Sequence, residues 1–237
     1  VVTGRLRPPA VLAYHAVGDI GGGSDPQELV LDAGRFERQV RLLHRAGYRF
    51  LTAGELVARG PDRPLPPATT ALTFDDGWMG DATVVSPILR RLGVRATFFV
   101  CPDWLAGGSH PEVEGVAGQL LDEAGVAALV ADGHEIGSHS LAHRDLRKLA
   151  DAELADDLAR SKAALEELTG RPCPAFAYPY GLFGEREERA VAAAGYEVAF
   201  AWGEGPWRRF AVPRLPTPPR NGAAVLALKM LGVRRPR

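Results

Sequence analysis

Seven short apolar runs rich in β-formers recur along the chain, at 10–14, 70–74, 96–100, 135–137, 175–178, 196–200 and 210–215. Amphipathic stretches at 33–46, 86–92, 120–131, 152–168 and 185–194 lie between them, and several run into a Gly suited to capping a helix C-terminus. Strand therefore alternates with helix. That order calls for a parallel α/β sheet. About seven such units in 237 residues favour a distorted (β/α) barrel, closed or nearly so, over an open doubly wound sheet. Barrel enzymes carry their chemistry at the C-terminal ends of the strands.

The Pro- and Gly-rich stretches at 60–67, 107–118, 203–206 and 213–222 read as loops within one domain spanning 1–237. None is long or polar enough for a flexible linker, and no internal repeat is present. No run approaches the roughly 18 apolar residues of a membrane span, so an integral membrane protein is not expected. A net charge of −1 provides no global field for nucleic acid or anionic lipid. Function must then come from a local site. Of the 28 cationic residues only Lys148, Lys162 and Lys229 are lysine, which leaves few groups for amine nucleophilic catalysis. Cys101 and Cys173 are too few for a disulfide scaffold or a thiolate metal cluster and read as buried thiols.

The segment 5–17 has a charged start and a short apolar run, but Pro8, Pro9, Tyr14 and His15 argue against a signal peptide. The compartment stays open: cell envelope or extracellular if a leader precedes Val1, cytoplasmic otherwise. The tail 234–237 reads as a solvated end.

The strand at 70–74 runs directly into Asp75, Asp76 and Gly77. Adjacent carboxylates at the end of an apolar strand repel each other and resist desolvation, so they call for a cation or a shared proton. His139 and His143 follow another short strand, at a spacing that would put both imidazoles on one face of a helical turn. One carboxylate with two histidines makes a three-ligand site with open positions, suited to zinc or another borderline divalent metal.

Thr73-Phe74-Asp75-Asp76-Gly77 and His139-Ser140-Leu141-Ala142-His143 resemble the first two signature motifs of the NodB-type polysaccharide deacetylases, carbohydrate esterase family four. Ala177-Tyr178-Pro179-Tyr180-Gly181 resembles the third, and the likeness runs from about Val11 to Leu215. It implies a distorted barrel with one divalent metal, most often Zn, with Co, Ni or Mn as alternatives. It further implies Asp76, His139 and His143 as metal ligands, Asp75 as catalytic base, and the backbone N–H of Tyr180 as oxyanion donor. The implied reaction is hydrolysis of an N-acetyl group on an amino sugar or polysaccharide, with a metal-activated water attacking the amide. The aromatic residues Trp78, Tyr178 and Trp202, together with Pro179, lie near strand ends where a sugar ring would bind.

Two departures from the family pattern matter. Ala177 stands where an arginine usually pairs with the catalytic aspartate, and Arg214, at the end of a late strand, is the candidate replacement. No histidine follows Arg214, although the family has a C-terminal one that protonates the leaving amine. Val11-Leu12-Ala13-Tyr14-His15 and the segment 36–52 resemble the permuted branch that includes the poly-β-1,6-N-acetylglucosamine deacetylases, which assigns the acid to His15. Its orienting carboxylate is not evident. His44 reads as a surface residue, and His110, in the Gly-rich loop, and His134, before the second motif, read as structural, with contact to substrate or metal as the minor alternative. The competing readings are a sugar-binding barrel that has lost activity, a deformylase or other amide hydrolase on a small glycoside, and a two-histidine, one-carboxylate iron oxygenase. The strand–helix alternation disfavours the last. The substrate, oligomeric state and native metal are not encoded in these motifs.

Overall fold

The computed structural model describes residues 9–19, 25–111, 119–217, 219, 220, 222 and 226. The tail 234–237 and the first eight residues lie outside them. Among the described residues eight strands form one sheet: β1 (Ala10–Tyr14), β2 (Arg49–Leu51), β3 (Thr69–Phe74), β4 (Thr97–Val100), β5 (Glu135–Ser138), β6 (Ala175–Ala177), β7 (Val198–Phe200) and β8 (Leu215–Pro216). All their pairings are parallel, in the order β7-β6-β5-β4-β3-β1-β8, with β2 beside the start of β3.

Residues just before β8 turn back to the far edge. Val212 N–H donates to Ala199, and Ala201 and Gly203 donate to Val212 and Arg214. Leu215 and Pro216 meanwhile register with Leu12 and Ala13 of β1. The segment 212–216 thus bridges the two edges and closes the curl. The run expected as one strand at 210–215 is instead split between these two partners.

Among the described residues six α-helices cover the outside: α1 (Ala33–Arg45), α2 (Ala53–Ala58), α3 (Ser86–Arg91), α4 (Glu123–Ala131), α5 (Asp151–Thr169) and α6 (Glu185–Ala193). Their starts follow from local chemistry. Asp32 accepts from Arg35 N–H at the head of α1, Thr52 and Glu55 form a capping box on α2, and Asp122 accepts from Gly125 N–H at α4. β2 and α2, at three and six residues, are too short to show a period, which is why the sequence pattern passes over them.

The pleat sorts the core into two faces. Leu12, Tyr14, Leu72, Phe74, Phe98, Val100, Ile136 and Phe176 pack outward beneath the helices. Val11, Ala71, Phe99, Ala175, Ala177, Val198, Phe200 and Val212 point inward. The inward set is mostly small, which leaves room inside the curl for one large polar side chain, Arg214, whose guanidinium lies 5.5 Å from the Phe99 ring. Cys101 and Cys173 are buried free thiols. No helix among the described residues is long and apolar enough to cross a membrane.

His134 ties two layers together. Its Nδ1 accepts from Ala96 N–H at 3.3 Å, so Nε2 carries the proton and donates to Ser86 Oγ at 3.0 Å; Ser86 in turn donates to Asp132. Burial holds this imidazole down at about 4, against an ordinary 6.5. Between those values the unfolded chain takes up a proton that the folded protein refuses, so stability falls as pH drops from 6.5 towards 4 and is level with respect to this group above 6.5. In chelator-treated protein, urea titrations should show a loss on the order of 2 kcal/mol over that interval. His134→Asn, which keeps an acceptor for Ala96 N–H, should remove most of that slope. An unchanged slope would assign the acid sensitivity to other groups.

Candidate active site

The C-terminal ends of β1, β3, β5, β6 and β7 open into a cavity of about 260 Å³ lined by His15, Asp75, Asp76, His110, His139, His143, Tyr180 and Trp202, among others. Backbone ladders carry the first residue past each strand into place. Asp75 N–H donates to Tyr14 and His139 N–H to Val100, each at 3.0 Å.

After β3 the chain turns sharply, with Asp76 at φ 78° and Gly77 at φ 80°. A Cβ on Gly77 would lie 2.3 Å from Val100 Cγ1, so only glycine lets the two carboxylates diverge here. Among the described residues, six non-glycines have positive φ, and Asp76, Ser140, His143 and Tyr180 are four of them. Such conformations each cost on the order of 1–3 kcal/mol and gather where surrounding contacts force a functional geometry. The expectation that His139 and His143 share a face of a helical turn is therefore corrected: residues 140–142 form a non-helical turn in which Ser140 and, just after it, His143 take left-handed φ. α5 holds it in place, with buried Asp157 accepting from Leu141 N–H at 2.9 Å and from Arg144 at 3.0 Å. Ser140 Oγ accepts from His143 N–H at 3.0 Å, and Cys101 Sγ donates to the His139 carbonyl at 3.1 Å.

Asp76 Oδ1 lies 3.5 Å from His139 Nε2 and 3.4 Å from His143 Nε2. Two ligands about 2.05 Å from a tetrahedral cation are separated by about 3.3 Å, so this spacing fits a shared divalent ion. All three donor atoms lie within 4.8 Å of one another. His139 Nδ1 is 2.8 Å from the Ala177 carbonyl, which only accepts, so Nδ1 bears the proton and Nε2 offers its lone pair inward. Burial lowers both histidines, with His143 held at about 2, which keeps them neutral and able to ligate.

Asp75 faces the other way. Arg214 grips it in a bidentate pair, Nη1 to Oδ1 at 2.6 Å and Nη2 to Oδ2 at 2.8 Å. Arg214 is 1 % exposed, and it also donates to Thr73 Oγ1 and to the Ala201 carbonyl, each at 3.2 Å. Burial alone would raise the Asp75 carboxyl, but the charge and hydrogen bonds of Arg214 outweigh it and hold it down at about 2. The arginine missing at Ala177 thus has a spatial counterpart delivered by the segment that closes the sheet.

His15 lies in the cavity wall, its ring 5.2 Å from that of Trp202. Burial lowers it to about 4, opposed by the charge of Asp75, helped by that of Arg214 and opposed more weakly by Asp25. Asp25 is fixed by accepting from Leu29 N–H at 2.8 Å and Val30 N–H at 2.9 Å. Asp81, missed in the sequence, is buried and accepts from Trp78 N–H at 3.0 Å. Burial and the nearby Asp76 and Asp75 push its carboxyl well above the ordinary carboxylate range.

Tyr180 is 55 % exposed, its ring 4.4 Å from that of His143, and Trp202 is 41 % exposed. Gly181 (φ 66°) lets Trp202 sit close, since a Cβ there would meet Trp202 Cβ at 2.4 Å. Two of the expected sugar-contact rings are corrected. Trp78 is fully buried beneath the His110 ring at 4.3 Å, and Tyr178 stacks on Phe183 at 4.2 Å with its hydroxyl donating to the Phe210 carbonyl. Pro179 is buried as well. Each turns inward because core packing outcompetes solvent exposure for an aromatic or apolar group at a strand end. His44 lies on the exposed face of α1.

A model of the polysaccharide deacetylase family matches residues 62–199. The chitooligosaccharide deacetylase of Bradyrhizobium sp. (strain ANU 289) is 31 % identical over 148 residues, covering 61 % of each chain. The Streptococcus pyogenes deacetylase PplD, solved in complex with acetate, superposes with a TM-score of 0.79 at 22 % identity, over 95 % of this chain and 99 % of that one. IcaB from Ammonifex degensii superposes with a TM-score of 0.76 at 23 % identity, over 95 % and 97 %. At these identities the likeness to the solved structures is one of fold. The chain spans between 41 % and 62 % of the length of three curated relatives that it matches. With the family match covering more than half of the sequence, the chain belongs to the polysaccharide deacetylase family.

Proposed function

We propose that this protein removes the acetyl group from an N-acetylated amino sugar in a glycan by hydrolysis, using a divalent cation, Zn in the first instance, held by Asp76, His139 and His143. The observation that carries this reading is the division of labour between adjacent carboxylates: Asp76 Oδ1 faces two imidazoles at 3.4–3.5 Å, while Asp75 is locked to Arg214. A cation held there supplies a Lewis acid for the amide carbonyl and acidifies a water.

The chain's own groups do the rest. Asp75, ionised throughout the neutral range, takes the proton from the attacking water. Arg214 limits its basicity but fixes its direction. The backbone N–H of Tyr180, a cavity-lining residue with left-handed φ, is the donor for charge developing on the amide oxygen. His15, uncharged at neutral pH, in turn takes up on its lone pair the proton released by the attacking water and, once protonated, hands a proton to the departing amine. Trp202 and the Tyr180 ring are the exposed aromatic surfaces on which a sugar face stacks.

Acetate release from a panel of chitin oligomers, peptidoglycan fragments, poly-N-acetylglucosamine and a monomeric N-acetylglucosaminide tests the reading, with Zn, Co, Ni or Mn supplied. The protein should bind about one divalent ion, and activity should vanish on chelation and return on reloading. His139→Ala should weaken metal binding by more than about 100-fold. Sugar binding with no acetate release under any metal would overturn hydrolysis in favour of a binding role.

A further inference from the structure

A third histidine belongs to this centre without being one of its ligands. His110 is buried, and its Nε2 lies 3.7 Å from Asp76 Oδ2, the carboxylate oxygen turned away from His139 and His143. It falls outside the group of donor atoms that lie within 4.8 Å of one another. His110 therefore meets the centre through Asp76. A displacement of about 0.8 Å would bring the pair to ordinary N–H···O distance.

The fold builds this approach deliberately. His110 sits on an excursion between β4 and α4 that is stitched to the residues following Asp76: Met79 N–H donates to Gln119 at 2.8 Å, Leu121 N–H to Gly77 at 2.8 Å, and Leu120 N–H to Gly108 at 3.0 Å. Trp78, two residues after Asp76, forms the floor, its ring stacked 4.3 Å from the imidazole. Trp104 forms the wall, edge-on to His110 at 5.3 Å and also against His143 at 5.2 Å. Two tryptophans thus fix the ring plane, and the ring edge points at Asp76.

We propose that His110 is a positioning residue for the metal centre, which donates from Nε2 to Asp76 Oδ2 and so commits Asp76 to single-oxygen ligation through Oδ1. The idea rests on Asp76, His139 and His143 binding a metal as proposed above. A carboxylate free to rotate could offer both oxygens or swing towards Asp75. One held from behind keeps the ligand geometry constant and leaves the open positions to water and substrate.

The test measures divalent-metal affinity directly, by competition of Zn and Co against a chromophoric chelator, using folded metal-free protein. His110→Phe keeps a ring between the two tryptophans and removes the donor; His110→Gln restores an N–H at about the position of Nε2. The Phe variant should bind metal about 10- to 100-fold more weakly and show an altered Co(II) visible spectrum, while the Gln variant stays close to wild type in both. His110→Asn, too short to reach, serves as a second donor-withdrawn variant should the Phe variant not fold. Wild-type affinity and spectrum in the donor-withdrawn variants overturn the inference alone, as does equal weakening in the Gln variant, which would mean that packing and not the donor matters. Absence of metal binding to the wild type overturns the metal-centre reading as well.

Discussion

Asp75→Asn lowers kcat for acetate release by about 10²- to 10⁴-fold while the protein still takes up its divalent ion. The two halves of that result test different residues in one dipeptide. Asparagine matches aspartate in shape, keeps a carbonyl oxygen for Arg214 and cannot accept a proton. Asp76, whose Oδ1 approaches His139 and His143, is untouched by the change. KM should move little, because a base acts in the transition state more than on the bound ground state. The neighbouring Asp76→Asn should do the reverse and lose the ion first. Kinetics should be read at a temperature where the variant is shown to be folded, since it leaves the buried Arg214 charge facing a neutral amide. Near-wild-type kcat in Asp75→Asn would remove it from the role of base, and loss of the ion would show that the two carboxylates act as one ligand unit.

How much of this was legible in the sequence depended on the range of the interaction. The alternation of buried strands and amphipathic helices is a local, periodic signal, and it placed five of the helices to within a few residues. Asp75, Asp76, His139 and His143 were legible because each follows a recognisable strand at a fixed offset. Their backbone was not: Ser140 and His143 adopt φ of 67° and 54° in a turn imposed by Asp157 on α5, a contact no residue spacing reveals. Arg214 could be named as a candidate from its place at a strand end, but the closure by residues 212–216 that presents it to Asp75 is a property of the whole sheet. Trp78 and Tyr178 misled because an aromatic at a strand terminus can turn to either side, and here both fill the core. His110 gave only a faint signal, with contact to substrate or metal as the minor alternative. It lies in a Gly-rich excursion with no period, and its meaning comes only from the two indoles and the carboxylate that converge on it.

Arg214→Met is expected to destabilise the metal-free protein by about 3–5 kcal/mol at neutral pH, the cost of leaving a buried carboxylate without its partner. The pH dependence identifies that cause. In the wild type, Asp75 is held at about 2 against an ordinary 3.8, so its pairing stabilises the fold above 3.8 and that contribution, about 2 kcal/mol, is lost as pH falls towards 2. Without Arg214 the dominant influence on Asp75 is burial, which raises the carboxyl above its unfolded value. The folded variant then binds the proton more readily than the unfolded chain and gains stability as pH falls through the raised value. Urea titrations of both proteins at neutral and acid pH should therefore show the difference between them shrinking on acidification, with the His134 contribution cancelling because it is common to both. Asp75→Asn combined with Arg214→Met should be more stable than Arg214→Met alone, since it removes the charge that lost its partner. A midpoint unchanged by Arg214→Met would show that Asp75 draws its compensation from elsewhere in the cavity. A loss that does not vary with pH would trace the damage to lost packing against Phe99 and Trp202, over which the guanidinium lies at 5.5 and 5.9 Å.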